Sequence, residues 1–305
     1  MNINSICKKF VLVFILMPLL PILGFPNNSL QAKNQSDTPH VVKDAKGIAM
    51  VYLPQGTFRM GIDINQVIEL CKNSWSEGFD TSLACSKDTF DKYPISSTPQ
   101  TVEVSPFYMD QFEVSLANYL DCVHVDVCTT DFLSQEMEAI ESGDDVPMNV
   151  PVTGASYYDG AVYCAWRDAR IPSEIEWEYA ARGVNATIFP WGNKFDGTLT
   201  NFCDSNCQYM PNNQWSDGYM RKAPVDAFPK GQSWAGIYDL AGNVAEWTST
   251  RNFNEFGIPI DHTRVIKGGS YRSLVFQTAS WWRIFSLENE YASETGFRFA
   301  RTTQP

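Results

Sequence analysis

Three short blocks near the C-terminal end constrain this chain more than any other feature: GIYDLAGNVAEWTS (Gly236 to Ser249), VIKGGSYRS (Val265 to Ser273) and ETGFRFAR (Glu294 to Arg301). Each sets glycine and other small residues beside a carboxylate or a cation and bulky aromatics. Glycine accepts the left-handed backbone that tight turns require, while each aromatic ring buries a large apolar area. Such blocks suit tightly turned backbone wrapped around buried rings, not long helices. With 305 residues, 44% of them hydrophobic and 13% aromatic, the chain can bury a substantial core, and one large domain is expected. The formal net charge of −12, with no run of basic residues beyond the N-terminus, argues against a nucleic-acid partner.

The N-terminus carries Lys8 and Lys9 followed by the apolar run FVLVFILMPLLPILGF and a polar stretch ending in SLQA. This pattern predicts a signal peptide over residues 1–32 with cleavage after Ala32, hence export to a periplasmic or extracellular space. An uncleaved segment would be the only membrane contact. Residues 33–46 are polar and patternless and are expected to form a flexible leader before a domain over residues 47–303. Asn27, Asn34 and Asn185 stand in glycosylation sequons, which matter only in a host that uses them. Export permits disulfides. The simplest pairing joins neighbours, Cys71 with Cys85, Cys122 with Cys128 and Cys203 with Cys207, although spacing leaves the connectivity open. Cys164 then remains as a buried thiol that behaves as a small hydrophobe.

Along the chain, apolar positions at Val51, Leu53, Phe58 and Met60 around a PQG turn suggest a β-hairpin, and alternation over Thr101 to Val104 suggests a strand. A short helix is expected near Asn65 to Cys71. Ser115 and Ser156 are placed to cap helices, the second running over Tyr157 to Ala169. Ser173 with Glu176 forms a capping box that opens a helix ending at Gly183, with Ile175, Trp177 and Tyr179 facing inward. The acidic run Glu136 to Asp145 reads as a solvated surface segment.

The three blocks, preceded by IPSEIEWEYAARG and FPWGN, resemble the formylglycine-generating-enzyme family, also called the sulfatase-modifying factor domain. The resemblance covers most of the chain and implies an α+β fold rich in irregular structure and similar to C-type lectins. Catalytic members of that family oxidise a sulfatase cysteine with two copper(I)-binding cysteines just after the GGS block. The matching positions here are Ser273 and Thr278. Copper(I) selects soft sulfur, and these hydroxyls stay protonated at neutral pH, so the sequence argues against copper. The family's YCAW cysteine bridges to a position that is Phe299 here, leaving Cys164 without that partner. Two structural calcium sites are implied by the same resemblance, one from Asp239, Gly242, Val244 and Glu246, the other from Asn201, Phe202, Asp217 and Tyr219. Oxygen donors of this kind suit a hard cation.

The resemblance also places a ligand groove around Ser270, Tyr271, Arg272, Ser273, Thr278, Trp281 and Trp282. Aromatics and an arginine among hydroxyls suit a peptide, protein or cell-envelope ligand. The expected function is therefore binding on a calcium-stabilised scaffold without formylglycine-generating activity. The alternative is a maturation or tailoring oxidoreductase that works without the paired cysteines. His40, His124 and His262 are too scattered for the three-histidine iron site of other relatives, and the GGS block lacks the flanking residues of a phosphate loop. Ser270 or Ser273 as a nucleophile would need a base, and no histidine lies near either in sequence.

Overall fold

Side-chain caps open several of the helices. The computed structural model describes residues 39–75, 80–90, 99–207, 214–254 and 256–303, and the expected signal peptide over 1–32 lies outside them. The helices are α1 (Ile64–Lys72), α2 (Lys87–Phe90), α3 (Leu116–Val123), α4 (Ser134–Glu141), α5 (Tyr157–Trp166) and α6 (Glu174–Arg182). Ser115 accepts from the Asn118 amide at the start of α3, and reciprocal capping boxes open α5 at Ser156 and α6 at Ser173. Helix α5 stops short of the expected Ala169, because Asp168 turns left-handed at φ 53°. In α6 Trp177 and Tyr179 are buried as expected, together with Glu174, Glu178 and Ala181, whereas Ile175 turns out to solvent. The acidic run lies partly on α4, a surface helix with no buried residue.

The strands are β1 (Val41–Lys43), β2 (Ala49–Leu53), β3 (Gly56–Met60), β4 (Gln100–Val104), β5 (Phe107–Asp110), β6 (Ala245–Phe253), β7 (Pro259–Lys267), β8 (Arg283–Leu287), β9 (Thr295–Gly296) and β10 (Ala300–Thr302). They form sheets in the orders β1-β2-β5-β10, β3-β4 and β8-β7-β6-β9. Two expectations are corrected here. The stretch around PQG is not a hairpin: β2 pairs with β5 while β3 pairs with β4, so the chain changes sheet between them. The Tyr179 ring occupies the corner, and a Cβ on Gly56 would fall 2.9 Å from its ring carbon Cζ. Nor is the whole leader free of structure. Val41 to Lys43 adds β1 antiparallel to β2, and the adjoining Asp44 receives two hydrogen bonds from the buried Arg167 guanidinium, which also binds Asp110.

Three apolar clusters fill the interior. One packs α3 and α5 against Trp247, Phe297 and Phe299, and a second packs Trp177 and Tyr179 of α6 on the β2 and β5 strands. The third gathers Phe189, Phe202, Phe276, Trp281 and Trp282 around the Cys71–Cys85 bridge. Cys122–Cys128 and Cys203–Cys207 are also bridged, and Cys164 sits buried in the first cluster with Phe299. Among the described residues no helix is long and apolar enough to cross a membrane.

The first and third sequence blocks meet at one buried ion pair. Arg298 of the GFR block donates from Nη2 to Glu246 Oε1 at 2.7 Å and from Nε to both carboxylate oxygens, and the Trp177 indole donates to Oε2 at 2.6 Å. The same guanidinium holds the carbonyls of Asp110 and Tyr238. Removing one partner of a buried pair strands the other charge in low dielectric. Arg298→Met should therefore lose about 3–5 kcal/mol of stability in guanidinium denaturation. A loss under about 1 kcal/mol, the range of an exposed pair, would contradict this role.

Candidate functional site

Strand β7 ends in a loop that only glycine can start. Gly268 and Gly269 take φ values of 93° and 70°, and a Cβ on Gly269 would stand 2.5 Å from the Gln277 carbonyl oxygen. The loop then closes on itself. The Ser270 amide donates to Ser273 Oγ at 2.9 Å, and the Ser273 amide returns a bond to the Ser270 carbonyl. Thr278 is wholly buried, its hydroxyl donating to the Val275 carbonyl at 2.8 Å. Both hydroxyls thus belong to the internal bonding of the loop. Neither offers the soft thiolate that copper(I) binds, so the donor set does not fit that metal.

Beside the loop runs a cleft of about 430 Å³ lined by Ser270, Arg272, Ser273 and Trp282, with Ile284 and Phe285 of β8 forming its apolar side. Trp281 is fully buried behind it and supports the wall without lining it. Tyr271 faces a second cleft next to the first. Lys267 lies under the loop, fully buried, with Nζ donating to Glu178 Oε2 at 2.9 Å and to the Trp281 carbonyl. Burial pushes the Glu178 carboxyl up, but Lys267 and Arg182 more than offset this and hold it below the usual carboxylate range. This lysine is a fixed countercharge in the floor of the site.

The loops carrying the expected calcium ligands are stitched to the groove by Asn243, a residue in left-handed conformation at φ 55°. Its carbonyl accepts from the Tyr271 amide, its amide donates to the Asn201 carbonyl, and its side chain bonds Glu113, Asn201 and Ala223. Around it, Glu113, Asp239 and Glu246 are all buried within reach of Arg298, and Glu113 also attracts Lys222. Glu246 is engaged by Arg298 and Trp177, whereas both carboxylate oxygens of Asp239 are buried with no hydrogen-bond partner. Burial, and then the neighbouring Glu246 charge against the opposing pull of Arg298, pushes the Asp239 carboxyl up to about 8. Burial together with Asp239 and Glu246 likewise raises Glu113 well above its ordinary value.

The second loop repeats the pattern. Asn201 Oδ1 is buried without a partner, although its Nδ2 bonds Arg221 and Asn243. Asp217 accepts from the Phe202 and Tyr219 amides, and burial with Asp204 nearby raises it to about 6. Among the described residues no three His, Cys, Asp or Glu side chains form a metal-holding group, so a cation would draw on the amide and on backbone carbonyls as well. The unpartnered oxygens of Asp239 and Asn201 fit a hard oxygen-bound cation, which would relieve two buried acceptors that nothing else satisfies. Sequence reasoning missed Glu113, Asn243, Asp204 and Lys267. Asn243 lay inside a quoted block, but nothing local marked it as the link between loops.

A GGS loop seated on a buried lysine, two stitched oxygen-rich loops and a Glu–Arg pair that joins the first and third blocks define a formylglycine-generating-enzyme-like domain. The profile described as the sulfatase-modifying factor enzyme 1-like domain matches residues 35–303, and the chain belongs to that family. It is 39% identical over 131 residues to "Inactive C-alpha-formylglycine-generating enzyme 2" of Bos taurus, covering 43% of this chain and 41% of that protein. It is 28% identical over 307 residues to "Formylglycine-generating enzyme" of Bos taurus, covering 84% of this chain and 75% of that protein. The chain thus spans less than half of the first of these relatives. Among solved structures, PvdO from Pseudomonas aeruginosa superposes with a TM-score of 0.57 at 20% identity, covering 88% of this chain and all of that one. Treponema denticola variable protein 1 superposes at 0.56 and 16% identity, covering 87% of this chain. The fold is accordingly α+β, C-type-lectin-like and of the formylglycine-generating-enzyme type.

Proposed function

We propose that this protein is a non-oxidising member of its family that binds an extended peptide segment of another protein in the cleft beside the GGS loop. The observation that carries the reading is the fate of the two former thiol positions: Ser273 and Thr278 hydroxyls are bonded within the loop, while the cleft they adjoin stays open. Strand β8 borders that cleft as an edge strand, paired with β7 alone among the described strands. Phe285 remains 45% exposed and Ile284 40%, so an added strand would find both backbone partners and apolar pockets. A cell-envelope polymer would use hydroxyls but not an edge strand. Capture of short random peptides from a display library on the purified chain tests the reading. Enrichment of a defined set is expected, with at least about ten-fold weaker capture by Phe285→Asp, in line with loss of a central apolar anchor. No enrichment, or equal capture by the variant, overturns it.

The scaffold is read as calcium-stabilised. Asp239 with the carbonyls of Gly242 and Val244, flanked by Glu246, would hold one ion; Asn201 and Asp217 with the carbonyls of Phe202 and Tyr219 would hold the other. The support is the pair of buried unpartnered acceptors, Asp239 and Asn201. Bound calcium supplies charge compensation and no chemistry in this reading. Calcium at a hundred-fold excess over Kd should add about 2.7 kcal/mol and raise the melting temperature by roughly 5–10 °C over a chelated sample. Asp239→Asn should reduce the increment. A melting temperature indifferent to chelation would refute it. Export is part of the same proposal, supported by the disulfides, since such bridges persist in oxidising compartments.

A further inference from the structure

The second cleft differs in chemistry from the groove it adjoins. It measures about 280 Å³ and lies between α4 and the turn after the GGS loop. Arg221, Lys222 and Arg272 line it together with Glu136 and Thr153. In a chain of net charge −12, three cations gathered at one cleft are out of proportion. Their sequence positions hide this, because Arg272 is remote from the Arg221–Lys222 pair.

Each cation is held differently. Lys222 Nζ lies 3.5 Å from Glu136 and 3.1 Å from Thr153 Oγ1, with its side chain only 20% exposed. Arg272 pairs with Glu294 at 2.9 Å and stacks over the Tyr271 ring. Arg221 is exposed, and its backbone carbonyl is tied to Asn201 Nδ2, which fixes where its side chain emerges. Burial lowers the Lys222 ammonium from its ordinary value, and Arg221 alongside adds to the effect against the pull of Glu136. A half-desolvated cation beside a like charge is a position that an incoming anion relieves on both counts.

Arg272 lines both clefts, which makes the basic cleft the immediate neighbour of the apolar groove along β8. We propose that Arg221, Lys222 and Arg272 form a subsite for an acidic side chain of the bound peptide, so that the groove selects a segment with apolar residues beside an anionic one. The inference rests on the peptide-binding reading of the groove. A carboxylate of Asp or Glu and a phosphorylated serine share the required chemistry, and Arg221 and Arg272 present planar donor forks suited to either.

The test is a positional-scanning library of short peptides, phosphoserine included, captured on the full mature chain and on Arg221→Glu. Arg221 is exposed, so the variant keeps the fold, and its melting temperature is the control. Lys222→Gln serves as a second, charge-neutral variant. The wild-type chain should enrich an acidic residue at one position about ten-fold, the scale of one charge-assisted contact. Arg221→Glu should abolish that preference or reverse it to Lys and Arg, while the apolar preferences persist. The Asp and Glu arms against the phosphoserine arm tell which anion is read. Peptides captured with no acidic preference, or a preference unchanged in both variants, would overturn the subsite and leave the peptide-binding reading standing. No capture of any peptide would remove both.

Discussion

The Glu246–Arg298 pair is the interaction on which the rest of the site depends. Its guanidinium takes the β6 carboxylate and the carbonyls of Asp110 and Tyr238, while α6 reaches the same carboxylate through the Trp177 indole. A buried pair of this kind is weak evidence of net stability, because desolvation opposes the Coulombic gain. What it contributes here is position. The carboxylate fixes the start of β6 and with it the loop that carries Asp239 and Asn243, and Asn243 in turn holds the Tyr271 amide at the rim of the groove.

Within that frame the hydroxyls of Ser273 and Thr278 have a local role. Ser273 Oγ accepts from the Ser270 amide, and Thr278 Oγ1 donates to a carbonyl of its own turn. The hydroxyls keep the loop closed, so the cleft beside β8 retains its shape without the redox pair. The proposed binding role rests on a buried ion pair, a buried lysine and an edge strand beside the cleft, with hydroxyls at positions 273 and 278. Within the cleft, the polar floor of Lys267 and Glu178 is already mutually satisfied.

What was legible in the sequence was local. Ser115, Ser156 and Ser173 cap helices because a hydroxyl three residues ahead of an amide is a short-range geometry, and the near-neighbour cysteine pairs are bridged as their spacing suggested. The blocks around Asp239, Ser270 and Arg298 came out as turns and strand ends around buried rings. The failures were long-range. A hairpin at PQG satisfied alternation, yet Tyr179 from a distant helix fills the corner and Arg167 draws Asp44 and β1 onto the sheet. Trp281 resembled a groove residue by position and proved to be core. The basic cleft could not be read at all, since its members are far apart in the chain and meet only through the fold.

On the proposed reading, a fold with Ser273 and Thr278 beside the GGS loop does not oxidise what it binds. The most direct measurement incubates the purified chain, with copper(I) added under oxygen, with a cysteine peptide of the sulfatase type and follows the thiol by mass spectrometry. The thiol should persist unchanged alongside a cysteine-paired relative that converts it. Conversion to the aldehyde by this chain, surviving Ser273→Ala, would contradict the account and place oxidising residues elsewhere in the fold.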